Sequence, residues 1–78
     1  MAKQLAQQLG YIYLVGQAPD LAIEAFDKAI LLTPEVAELY INRGSAQCML
    51  GNREQATQNY QKAQEMGINY AEYMNCDP

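Results

Sequence analysis

The chain contains no histidine, so any general acid–base chemistry would fall to carboxylates, tyrosines or cysteines. Glu24, Asp27 and Lys28 stand close together, yet a mixed cluster with Glu24 and Lys28 one helical turn apart is the pattern of a solvated helix face. GxxxxGK[ST] loops, GxSxG elbows and HExxH pairs are missing as well. Gly10 and Gly16 do not fit a dinucleotide fingerprint, and no strand pattern precedes them. Neither an enzyme nor a bound cofactor is expected. Basic residues are scarce, five against nine acidic for a net charge of −4, with no lysine or arginine run to follow a phosphate backbone; this excludes nucleic-acid binding. Cys48 and Cys76 lack CxxC spacing and have no histidine to complete a metal set, so zinc is excluded. They read as reduced structural thiols of a cytoplasmic protein rather than as a disulfide. Nothing after Met1 looks like a signal peptide, and the most apolar run, Leu9 to Val15, is far short of the roughly 20 residues that a bilayer requires.

What remains is a globular composition, half apolar with few glycines and prolines. A chain this short forms one domain and buries only about 60% of the surface its unfolded form exposes, which predicts modest stability. The informative feature is a period. Ala22, Phe26, Ala29 return thirty-four residues later as Ala56, Tyr60, Ala63, and Gly10 returns as Gly44. Internal repeats of this length mean stacked supersecondary units. Ala22, Phe26 and Ala29 are spaced i, i+4, i+7 and share one stripe of a helix, a ring flanked by two shallow places. Gly10, with Leu9 and Tyr13 around it, supplies the matching shallow place on the preceding helix, so the two pack closely and nearly antiparallel.

These residues resemble the tetratricopeptide repeat family. Leu9-Gly10, Tyr13, Ala22, Phe26, Ala29 and Pro34 match its signature in spacing and type, and the second copy keeps Tyr40, Gly44, Ala56, Tyr60 and Ala63. It departs in carrying Arg43, Gln47 and Ile68 where the first has Leu9, Tyr13 and Pro34, which predicts looser packing there. The resemblance implies an all-α fold, two antiparallel helix-turn-helix repeats (about 3–36 and 37–69) stacked as a short right-handed solenoid. Ala71-Glu-Tyr73-Met echoes Ala37-Glu-Leu39-Tyr, so residues 70–78 read as a truncated third repeat containing a short capping helix.

Local signals place the helices. The first is expected over Ala2 to Val15, built from good helix formers and ended by Gly16-Gln-Ala. Pro19 opens the second at a position where its missing N–H costs nothing, and Asp20 suits the positive end of the dipole; it runs to about Leu32. Thr33 is expected to cap a third helix with Pro34 in its first turn, ending near Leu50. Gly51 and Asn52 then close that helix and open a fourth, from Arg53 to about Met66, which Gly67 ends.

A second stripe runs along the first helix of each repeat: Gln7, Gln8, Tyr11, Leu14 and Val15, then Ile41, Asn42, Ser45, Cys48 and Met49. By the family resemblance this stripe lines a concave groove that holds an extended or helical segment of another protein. Some family members grip a partner's terminal carboxylate with paired lysine and asparagine side chains. Here the matching first-repeat positions are Gln7 and Tyr11, and Asn42 alone matches a clamp asparagine, so that capture is not expected in a net acidic chain; amides, a tyrosine and soft apolar groups suit a peptide with apolar anchors and exposed backbone amides. The alternative is a structural assembly subunit. Stacked repeats need about three units before their core suffices, and apolar residues stand near both ends, Tyr70, Tyr73 and Met74 at one and Leu5 and Leu9 at the other. That alternative predicts a homo-oligomer or docking into a larger complex, without membrane insertion.

Overall fold

The computed structural model describes residues 2–68 and residue 76. Among them the structure is all-helical, with no strand: α1 (Ala2–Val15), α2 (Pro19–Leu32), α3 (Ala37–Met49) and α4 (Arg53–Glu65). Apart from Cys76, the expected cap, with Tyr70, Tyr73 and Met74, lies outside the described residues. Three residues join α1 to α2 and three join α3 to α4, and connections so short turn each pair into an antiparallel hairpin.

Both hairpins interlock in the same way. A Cβ placed on Gly10 would stand 2.5 Å from Cε1 of Phe26, and one placed on Gly44 would stand 2.7 Å from Cε1 of Tyr60. No side chain fits at those distances, so each ring rests on bare backbone. Ala22 and Ala29 flank Phe26, Ala56 and Ala63 flank Tyr60, and all four alanines are fully buried. Phe26 and Leu39 are the largest side chains with no exposure. Burying each contributes about 1.5–3 kcal/mol. Leu39 and Ala46 bring α3 into the core of the first hairpin, and Ile30 packs against both cores.

The helix ends repeat too. Ala18 N–H donates to Tyr13 O at 2.8 Å and Gln17 N–H to Leu14 O at 3.1 Å, and thirty-four residues on, Asn52 donates to Gln47 O at 2.8 Å and Gly51 to Cys48 O at 3.0 Å. Ile68 and Gly67 close α4 on Ala63 O and Gln64 O likewise. This is the Schellman arrangement, which needs one left-handed residue. Gly51 (φ 81°) and Gly67 (φ 101°) supply it without strain, but in the first hairpin the residue is Gln17 (φ 61°), not Gly16.

Three expectations are corrected. Thr33 does not open α3; it closes α2, with its hydroxyl donating to Ala29 O at 2.9 Å, and Val36 stands at the N-cap of α3. A threonine hydroxyl bonds the carbonyl one turn back as readily as it caps forward, and Pro34 spends its carbonyl on the Tyr40 hydroxyl at 3.1 Å. Nor do the replacements in the second hairpin leave it without cross-helix contacts, although its cleft is the wider one. Arg43, Gln47 and Asn59, which replace Leu9, Tyr13 and Ala25, form one network. Arg43 Nε and Nη2 donate to Asn59 Oδ1 at 3.0 and 2.8 Å, and Asn59 Nδ2 donates to Gln47 Oε1 at 2.5 Å and to Gln55 O at 3.0 Å. Arg43 Nη1 reaches across to Asp27 Oδ1 of α2 at 2.7 Å, and its guanidinium lies 5.6 Å from the centre of the Tyr40 ring. No buried side-chain nitrogen or oxygen among the described residues lacks a partner, so the exchange of apolar for polar residues is complete.

The third correction concerns the cysteines. Cys48 and Cys76 are not free thiols but a disulfide, their Cα atoms 5.1 Å apart and 28 residues apart in sequence. Spacing rules look for neighbouring cysteines, and this pair is made by the fold. Cys76 packs on the core of Tyr40, Ala56, Tyr60 and Ala63, so the bond holds Cys76 against the second hairpin.

Candidate functional site

Helix α2 packs against both α1 and α3, α1 and α3 touch each other, and the backbone of α4 comes close to neither α1 nor α2. The first helices of the two hairpins therefore lie side by side and share one surface. On it opens a concavity of about 600 Å³, lined by Gln7, Gln8, Tyr11 and Ile12 of α1 and Asn42 of α3. The i, i+3, i+4 spacing of the α1 residues sets them on one side of that helix. Gln7 and Asn42 are half-buried, while Tyr11 and Ile12 are exposed.

Four of the expected groove residues, Gln7, Gln8, Tyr11 and Asn42, come together here. The others do not line the concavity. Leu14 packs on the first core, Ile41 and Cys48 pack on the second, Ser45 is half-buried and Met49 is exposed. Cys48 is committed to its disulfide, and its sulfur lies 3.4 Å from the Tyr60 hydroxyl. Ile12 was not among the expected residues, although its position four after Gln8 is a signal that would have found it. Among the described residues no charged side chain lines the concavity. Three carboxamides and a phenol offer both donors and acceptors, beside one aliphatic chain, and such a surface suits an uncharged stretch of backbone more than an ion. Among the described residues no three metal-ligating side chains cluster, and no helix is long and apolar enough to cross a membrane.

A second feature also repeats. Leu9, Tyr13, Leu21 and Ala25 line a cleft of about 140 Å³ on the first hairpin. Thirty-four residues on, Arg43, Gln47, Gln55 and Asn59 line its counterpart, about 350 Å³, on the second. The same place is mostly apolar in one hairpin, with Glu24 and Lys28 also at the cleft, and mostly polar in the other. Compared with known proteins, the chain matches no family model and no curated sequence.

Proposed function

We propose that the chain is a two-repeat module of tetratricopeptide type, stacked as a short right-handed solenoid, that holds a segment of a partner protein in the α1–α3 groove and has no catalytic role. The observation that carries this reading is the concavity in which Gln7, Gln8 and Tyr11 face Asn42 across two first helices. The glycine-on-ring interlock, repeated at thirty-four residues, supports the family-like architecture. The preferred ligand is an uncharged segment, extended or helical, whose backbone amides meet the glutamine and asparagine side chains and whose apolar side chains rest on Tyr11 and Ile12.

The test begins with a display library of neutral peptides bearing apolar anchors. Tyr11→Ala combined with Asn42→Ala should weaken the selected peptide at least about tenfold, or 1.4 kcal/mol, while circular dichroism stays unchanged. A folded double variant that binds as tightly as the parent refutes the groove. The reading places the protein in the cytoplasm, and Cys48–Cys76 is where that placement is checked. Thiol alkylation of rapidly quenched cells reads the pair: a bond opened by the cellular thiol pool keeps the protein in the cytoplasm, and a bond intact throughout moves it to an oxidising compartment.

A further inference from the structure

The repeat gives every residue of α1 a counterpart on α3. Leu39 and Ala46 of α3 are fully buried against Ala22, Phe26 and Ala29 of the first hairpin. Their counterparts on α1 are Leu5 and Ile12, which are 66% and 62% exposed, with Leu9 between them at 41%. Leu21 of α2, 43% exposed, adjoins Leu9 in the cleft that Glu24 and Lys28 also line. A surface that is core in one hairpin is open to water in the other.

We propose that this face is covered by the same face of a second copy, α1 against α1, about a two-fold axis passing beside Leu9. Three observations select that occupant. Leu5, Leu9 and Ile12 are spaced by four and then three residues, the seam that lets one helix mesh with another of its kind; in an antiparallel pair Leu5 meets Ile12 and Leu9 meets Leu9. Helix α1 contains no acidic residue in a chain of net charge −4, so the α1 seam itself sets no carboxylate against a carboxylate. The head-to-tail alternative would dock this face on the α4 surface that corresponds to Ile23 and Ile30 of α2. There the residues are Thr57 and Gln64, both exposed and polar, and Cys76 already packs on the neighbouring core. A mismatch at that end leaves the self-complementary, closed arrangement.

Sedimentation equilibrium of the disulfide-bonded chain tests this. At about 100 μM, a concentration suited to a small interface, the mass should approach twice 8.7 kDa. Leu9→Glu and Leu9→Lys should each be monomeric, because each repels its own copy, and an equimolar mixture should regain the doubled mass. Leu5→Glu, at a position outside both cores, should also be monomeric with an unchanged helical spectrum. Tyr11→Ala with Asn42→Ala should remain dimeric, because Ile12 is the one groove residue that the seam shares. A monomeric parent chain overturns the proposal. So does a dimer that survives Leu9→Glu, or a mixture of folded Leu9 variants that stays monomeric.

Discussion

Replacing Gly10 by alanine sets a methyl carbon 2.5, 2.7 and 3.0 Å from Cε1, Cδ1 and Cζ of Phe26. Carbon atoms rest comfortably at about 3.5–4.0 Å, so something must move by roughly an ångström. Phe26 cannot yield easily, since it is fully buried between Ala22 and Ala29. Two effects oppose each other. Alanine is the better helix former by about 1 kcal/mol, whereas overpacking a filled core costs about 1–3 kcal/mol and at times more. With a contact this short on an enclosed ring, overpacking wins, and the net loss is about 2 kcal/mol. For a domain of this size that lowers the melting temperature by about 8–16 °C, readable by circular dichroism. Phe26→Leu in the Gly10→Ala background should cost less than Phe26→Leu alone, because the methyl occupies space the ring vacates. A Gly10→Ala protein that melts at or above the parent temperature refutes the interlock.

Asn59→Ala should cost about 1–3 kcal/mol in urea unfolding, because it strips the buried Gln47 and the Arg43 guanidinium of a partner. Exchanging Arg43→Leu and Gln47→Tyr along with it, to match the first hairpin, should restore most of that loss. Gln17→Gly should stabilise by about 0.5–1 kcal/mol, the relief of a left-handed glutamine less the extra freedom of glycine in the unfolded chain. A Gln17→Gly variant less stable than the parent would mean that the glutamine side chain contributes more than its backbone costs.

The helices were legible because their punctuation is local. Pro19, Gly51 and Gly67 act within a few residues, and the positions of Gly10 and Gly44 against aromatic rings followed from one stripe repeated at a fixed distance. Thr33 was misread because its hydroxyl has two bonding options at the same place in the chain, and burial against Ala29 decided between them. Arg43 looked like a defect when set beside Leu9. Only folding brings Asn59, sixteen residues on, and Asp27, sixteen before, within reach of one side chain. The disulfide escaped for the same reason, although the period itself held a clue: Cys76 stands thirty-four residues after Asn42, in register with a groove position on the helix that carries Cys48. Of the groove stripe, the residues nearest the middle of the two helices meet in the concavity, while Leu14, Ile41 and Cys48 turn toward the cores.

Arg43 touches three helices at once: it sits on α3, holds Asn59 of α4 and reaches Asp27 of α2. The Asp27 arm is partly exposed, with side chains 24% and 56% open to solvent, and adds little net energy. Its value is directional. Greasy surfaces can slide over one another at small cost, whereas the Arg43 fork is held on Asn59 by two donors, so its third nitrogen meets Asp27 from a fixed place. One guanidinium thus ties three helices together one residue away from Asn42, the residue that α3 contributes to the open face.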